Sequence, residues 1–307
     1  MILISGATGL LGGAITRNLL AVGKKVRILV REDSPSIELA KHGMATNPQT
    51  LIEAGAQPIY GDLRDRSSLD WACAGIETVL TTASSTMRDF DLEGVDLNGT
   101  RNLVDAAKSA GVRHFIYTSA YGSDLNHPSR LFQIKAICEQ YIQDSGMTHT
   151  ILAPGVFMEI WIGMVVGIPL RAGQLVTLVG KGDHKHTFIA IQDVAAFGTA
   201  LVDNPMALNQ AVFIGGPASY TWTEVIQAVG RALGQELPVN YVGFDEDVPL
   251  LPEGVPDLLK GMETFETFID MSRTAPQYGV ELTSLDMFAH QFFIQPAIQG
   301  PAQKLSD

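Results

Sequence analysis

Apolar residues recur in short runs through the first half of the chain: Ile2–Ser5, Val26–Val30, Pro58–Tyr60, Thr78–Thr82, His114–Thr118 and Thr148–Leu152. The runs are mostly continuous rather than alternating, as in strands covered on both faces of a parallel sheet. Between them lie stretches with helical spacing, among them Gly12–Val22, Asp96–Ala110 and Phe132–Asp144. Gly111 supplies a C-terminal stop for the second of these. Ser34–Thr50 reads as a loop followed by a helix. Strands and helices in alternation predict an α/β fold, a doubly wound parallel sheet over residues 1–154.

After Pro154 the pattern loosens. A Gly-rich apolar stretch leads to a predicted hairpin, Leu175–Ile191, with its tip near Gly180-Lys181-Gly182-Asp183. Helix Ile191–Leu201 and strand Ala211–Ile214 follow, the strand closed by Gly215-Gly216-Pro217. Thr221-Trp222-Thr223-Glu224 is a capping box, because the Thr221 hydroxyl and Glu224 carboxylate can each accept the other's free backbone N–H. Its helix runs to Gly234, and Pro249, Pro252 and Pro256 punctuate the segment before one or two more helices. Pro301–Asp307 reads as a frayed end. Residues 155–307 are therefore expected to form a smaller α/β region that binds substrate, with about 187–234 packing back on the first domain.

Composition narrows the function classes. A net charge of -12 and the lack of a Lys/Arg block argue against a nucleic-acid partner. The apolar stretch Val156–Leu170 is broken by Glu159, Gly163, Gly167 and Pro169, short of the roughly 20 apolar residues of a membrane span. The first strand begins at Ile2, which leaves no room for a signal peptide and suggests a cytoplasmic protein with no membrane partner. Cys73 and Cys138 read as reduced, buried thiols.

The candidate chemistry begins at Gly6-Ala7-Thr8-Gly9-Leu10-Leu11-Gly12. Three glycines alone are weak evidence, but these follow an apolar strand and open an amphipathic helix. That arrangement aims free N–H groups at a pyrophosphate and predicts a Rossmann dinucleotide site. Gly6 is read as the tight turn, Gly9 as the point of phosphate approach and Gly12 as the helix–sheet contact. Arg31 follows the second strand, ahead of Glu32 and Asp33, so NADP(H) is favoured over NAD(H). Gly61-Asp62-Leu63 follows the third strand, where a carboxylate can accept from the adenine amino group; a plain turn or cap is the other reading of Asp62. Thr81, Thr82 and Ala83 end the fourth strand at the same edge.

On these residues the chain resembles an atypical short-chain dehydrogenase/reductase of the NmrA-like type, near the extended branch and its quinone- and isoflavone-reductase-like members. The resemblance rests on Gly6–Gly12, Gly61-Asp62-Leu63, Asn98-Gly99-Thr100-Arg101-Asn102-Leu103 and Tyr117-Thr118-Ser119. It extends through Asp144–Leu152 into Pro154-Gly155-Val156-Phe157, then Phe188–Ala195 and Thr221–Glu224. It implies that Pro154, Gly155, Val156 and Phe157 also touch the cofactor. Conventional members carry Tyr-x-x-x-Lys; here Lys135 is present but Leu131 stands four residues before it. Leucine cannot move a proton. Ala153 likewise stands where many relatives have arginine.

Among distant lignan and isoflavonoid reductases a lysine serves as general acid/base, which the resemblance offers to Lys135 alongside a ribose-binding role. Ser119 and Tyr121 are secondary candidates, and Tyr121 reads equally as a pocket wall. His127 sits in the loop before that helix. Phe157, Met158, Trp161, Ile162 and Met164 offer an apolar substrate wall, or simply core. Asp183-His184-Lys185-His186 lacks a clear third metal ligand nearby, so the tip reads as solvated and no metal is expected. The expected function is NADPH-dependent reduction of a small apolar electrophile (quinone, enone or aromatic ketone). The alternative is a non-catalytic NAD(P)-binding redox sensor acting through a protein partner. Epimerase or dehydratase chemistry leans on the missing tyrosine and is disfavoured.

Overall fold

The computed structural model describes residues 1–32, 36–41, 43–86, 88–252 and 254–294. Asp33, the start of the expected 34–50 loop and the tail Pro301–Asp307 lie outside the described residues.

The first six strands are β1 (Ile2–Ser5), β2 (Val26–Val30), β3 (Gln57–Tyr60), β4 (Thr78–Thr81), β5 (His114–Thr118) and β6 (His149–Pro154). They are followed by β7 (Val156–Phe157), β8 (Val176–Val179), β9 (His186–Ile189), β10 (Gln210–Ile214), β11 (Ser219–Tyr220) and β12 (Val239–Val242). The main sheet has seven strands in the order β10-β6-β5-β4-β1-β2-β3, a parallel Rossmann-like arrangement. Every residue of β1, β4 and β5 is buried, which is why their sequences are mostly apolar and do not alternate with charged residues. Strand β3 is largely exposed and holds Pro58, as suits an edge. Strand β1 pairs with β2 on one side (Ile4↔Ile28) and β4 on the other (Ile4↔Leu80). The chain reverses its direction of travel across the sheet between β1 and β4, the point at whose carboxyl ends open α/β sheets bind their ligands.

The chain divides into two compact units, Met1–Pro154 with Val194–Phe213, and Gly155–Asp193 with Ile214–Asp307. In the first, Leu3, Val79, Leu103, Phe115 and Ile134 are core residues with no exposed surface. The helix expected over Asp96–Ala110 begins earlier, as a π-helical stretch Leu92–Gly99 that Asp91 caps through the Gly94 N–H (2.9 Å), and becomes α-helical over Thr100–Ser109. Helices Ser36–Lys41 and Pro48–Glu53 occupy the region read as loop and helix.

In the second unit Phe188 packs edge-on against Trp222, ring centroids 5.3 Å apart, at the centre of its core. The capping box forms as expected: Glu224 N–H donates to Thr221 Oγ1 (3.0 Å) and Thr221 N–H to Glu224 Oε2 (2.8 Å). The expected hairpin does not. Strands β8 and β9 occupy its two arms but never pair; β8 pairs in parallel with β12, and β9 lies between β7 and β11. Both arms are fully buried, so each is satisfied by a distant partner as readily as by the other. Three helices, Val255–Met262, Thr274–Tyr278 and Leu285–Phe293, follow the proline-rich segment. Among the described residues no helix is long and apolar enough to cross a membrane.

Candidate functional site

Gly6 follows β1 with φ +84, a conformation that glycine adopts freely. A Cβ there would lie 2.7 Å from both the Ala83 nitrogen and Thr82 Oγ1, so the turn is pressed against the end of β4. Thr81, Thr82 and Ala83 are thereby brought beside the glycine turn. Gly12 is tighter still: its Cβ would sit 2.2 Å from the Gly6 carbonyl oxygen. Gly12 therefore lets the helix meet the turn itself rather than only the sheet. Gly9 is exposed and caps helix Leu10–Ala21 with no side-chain hydrogen bond, and the first turn carries no acidic residue. The amino end of that helix is thus left polar, positive and uncapped. Behind it, Thr46 ties the loop down through its N–H to the Thr8 carbonyl (2.8 Å) and its hydroxyl to the Gly9 carbonyl (3.2 Å). Nothing in the spacing of the sequence pointed to Thr46.

Arg31 ends β2, and its Nη1 lies 4.0 Å from Asp62 Oδ2. Asp62 is already engaged: Arg64 donates to Oδ1 from its N–H (2.8 Å) and Nε (3.0 Å), and to Oδ2 from Nη2 (2.8 Å). The Arg64 hydrogen bonds hold the Asp62 carboxyl below the usual carboxylate range. Leu63 is buried beneath, its carbonyl receiving Asn102 Nδ2 (2.9 Å). Arg88 was missed in the sequence. Burial first, then the Arg31 charge, pull its guanidinium below its ordinary pKa.

At the end of β5, Ser119 is buried and donates its hydroxyl to Glu139, with Ser123 Oγ at 3.3 Å. Glu139 lies one turn beyond Lys135 on helix Arg130–Asp144, and burial raises its carboxyl pKa. The i,i+4 spacing to Lys135 was the available signal for it. Lys135 is only 7% exposed; its Nζ donates to the Thr118 carbonyl (3.0 Å) and stands 5.0 Å from the Tyr117 ring centroid. Burial lowers its pKa, opposed by Asp96, Cys138 and Glu139. Tyr121 donates its backbone N–H to the Pro154 carbonyl (2.9 Å) and sets its ring edge-on to Phe213, centroids 5.9 Å apart. His127 stacks on Phe132 (4.4 Å) and accepts the Ser129 N–H, an arrangement that orders the loop.

In the second unit, Gly155 donates to the Ile214 carbonyl (2.8 Å), and Val156 and Phe157 form β7. Met158 and Ile162 are fully buried in that unit's core, in keeping with the core reading the sequence also offered; Phe157 and Trp161 are only partly covered. The difference follows helical spacing, since residues four apart share the face turned to the core. Glu159, read from sequence only as an interruption, has both carboxyl oxygens on the Ile191 N–H (3.0 and 2.9 Å) at the start of helix Ile191–Leu201. Burial pushes its pKa up to about 7. The 181–186 tip is not uniformly solvated: Asp183 and Lys185 are exposed, but His186 is buried with Nε2 at 2.9 Å from the Met262 carbonyl.

Comparisons with known proteins agree with this geometry. The chain is 28% identical over 244 residues to an NAD(P)H azoreductase of Xenophilus azovorans, covering 80% of this chain and 77% of that protein. It is 32% identical over 244 residues to the photosystem II assembly factor Ycf39 of Cyanophora paradoxa, covering 78% and 71%. The fold superposes with a TM-score of 0.76 on the NADPH complex of the quinone oxidoreductase QOR2 from Escherichia coli, at 23% identity over 95% of this chain and 100% of that one. The sequence pattern of the NmrA-like family matches residues 1–292, a span that takes in the glycine turn, the helix bearing Lys135 and nearly all of the second unit. The chain belongs to the NmrA-like family.

Proposed function

We propose that the protein is an NADP(H)-dependent reductase that transfers hydride to a small, largely apolar electrophile, a quinone, enone or aromatic ketone. The observation that carries this reading is the glycine turn pressed against the end of β4 at the sheet's reversal point, with Arg31 one residue past the neighbouring strand β2. The cradle fits a dinucleotide: an uncapped helix end suits the pyrophosphate, and the Arg31 guanidinium just past β2 suits a 2′-phosphate. When bound, the nicotinamide supplies the hydride. The reductase named among the relatives and the quinone oxidoreductase among the superposed structures support the same class.

The chain's own residues divide the remaining work. Arg31 neutralises the 2′-phosphate, while Asp62, held by Arg64, fixes the rim on which the adenine rests. Lys135, sealed against Thr118 and Tyr117, suits a positioning part beside the ribose better than release of a proton to substrate. Ser119 gives its one O–H to Glu139, so it steadies a developing negative charge only when Glu139, whose carboxyl pKa burial raises, carries the proton and donates to Ser119 Oγ instead. Tyr121 and Phe213 offer aromatic surface in the first unit, Phe157 and Trp161 in the second. A quinone needs little help from a protein acid, which matches Leu131 in the place of the usual tyrosine.

Turnover with NADPH and NADH against a panel of quinones and enones tests the activity. NADPH oxidation with at least one of them is expected, and tight binding with no oxidation across the panel counts against it. Arg31→Ala should weaken NADPH about 30-fold or more, the scale of a lost charge-assisted contact, and change NADH less than about threefold. Equal losses for the two cofactors would remove Arg31 from the 2′-phosphate. Lys135→Met should raise the KM for NADPH with part of kcat kept; complete loss of kcat at unchanged KM would make lysine the proton donor instead.

A second reading is a dinucleotide-binding regulator that works through a protein partner. Its support is the 32% identity to an assembly factor together with Leu131. Tight NADPH binding without turnover, with a protein partner retained only in the presence of the dinucleotide, is what that reading requires.

A further inference from the structure

The second unit contains a cluster unrelated to the dinucleotide. Asp183, His184 and Glu263 each offer one ligand atom, and these atoms lie within 4.8 Å of one another. His184 Nδ1 is 3.5 Å from Asp183 Oδ1 and 3.8 Å from Glu263 Oε2. Metal–ligand distances of about 2.1 Å put tetrahedral neighbours about 3.4 Å apart, so little movement is needed to close around an ion. In sequence the tip lacked a third ligand; the fold brings one from the end of helix Val255–Met262, some 80 positions away.

Two further observations point to a missing cation. His184 Nδ1 is enclosed and has no hydrogen-bond partner, although two carboxylates face it. A neutral imidazole lone pair turned toward two negative groups is unfavourable unless a proton or a metal ion stands between them. The Glu263 side chain is only 4% exposed, and among the described residues no lysine or arginine pairs with it. Buried carboxylates are ordinarily paired or bound to metal. Glu263 Oε2 is steadied by the N–H groups of Lys181 (3.3 Å) and Gly182 (3.2 Å), the kind of outer support that orients a metal ligand.

We propose that Asp183, His184 and Glu263 form a binding site for a divalent transition-metal ion of the zinc type, with at least one further position left to water. The ion would tie the 181–184 tip to the end of helix Val255–Met262. One nitrogen with two carboxylate oxygens suits Zn2+ better than Ca2+, which takes six to eight oxygens.

The test is equilibrium dialysis and calorimetry of the full chain against Zn2+, with thermal melts in Zn2+ and in chelator. One equivalent should bind with a Kd below about 10 μM and raise Tm. His184→Ala should weaken binding about 100-fold and abolish the Zn2+-dependent rise, with Glu263→Gln as a second variant that keeps an acceptor for the two N–H groups. His149→Ala, outside the cluster, should bind as wild type. Failure to saturate, or equal binding by His184→Ala and wild type, overturns the proposal and leaves a proton on His184 as what separates the charges. None of these readouts depends on reductase turnover.

Discussion

At pH 8, Glu159→Gln is expected to stabilise the protein by about 2–3 kcal/mol, and at pH 5 to change stability little. The carboxyl of Glu159 is enclosed, and burial raises its pKa from 4.5 to about 7. The folded state therefore prefers the protonated form. Stability from this group is fully present below about pH 4.5 and is lost as pH rises through about 7. Above that range the wild type must hold a carboxylate in a poorly solvated place, with Asp193 adding repulsion. Glutamine keeps a carbonyl oxygen for the Ile191 N–H and carries no charge, so it removes the penalty without uncapping helix Ile191–Leu201. Urea unfolding of both proteins from pH 5 to pH 8.5 reads the effect directly. Parallel stability curves for the two proteins across this range would mean that Glu159 is solvated in the folded chain.

Gly12→Ala is expected to lower NADPH affinity by about 100-fold or more and stability by about 1–3 kcal/mol. The added methyl would stand 2.2 Å from the Gly6 oxygen and 2.6 Å from Thr82 Oγ1. A backbone carbonyl cannot rotate out of the way as a long side chain can, so the whole turn must shift. Gly9→Ala is the informative partner. The nearest atom to its Cβ is the Gly6 oxygen at 3.3 Å, so the turn need yield only a few tenths of an ångström, far less than for Gly12. If the pyrophosphate rests against Gly9, this variant loses affinity while its melting temperature stays within a degree or two. Fluorescence titration and thermal melts of both variants separate the cases, and undiminished NADPH affinity in Gly12→Ala would remove the turn from the site.

The glycine turn, the strands β1, β2 and β5, and the capping box at Thr221 were readable because each is set by neighbours in sequence. Arg31 was readable for the same reason, lying one residue past β2. What escaped depends on partners far along the chain. Arms of a hairpin look like any two buried strands, and nothing local in Val176–Val179 names Val239–Val242 as its partner. Glu139, Glu159 and Glu263 draw their environments from elements that only the fold assembles. Met158 and Phe157 are neighbours of similar character, yet one is core and the other half-covered, because the chain passes from strand β7 into a helix between them.

Strand β10 covers the outer edge of β6, and it is made from residues 210–214, long after β6 itself. While the chain is being synthesised, the dinucleotide half therefore waits for some 55 further residues before its last edge is closed. Until then β6, buried along almost its whole length in the finished fold, presents unpaired backbone groups to any other strand it meets. A fragment ended at Pro154 would keep the glycine turn and lose this cover. Such a fragment should precipitate or pair with itself rather than behave as a free-standing nucleotide domain. Limited proteolysis in the 155–193 segment would, by contrast, leave β10 hydrogen-bonded in place. In this protein the end of the nucleotide-binding sequence and the end of its folding are two different points on the chain.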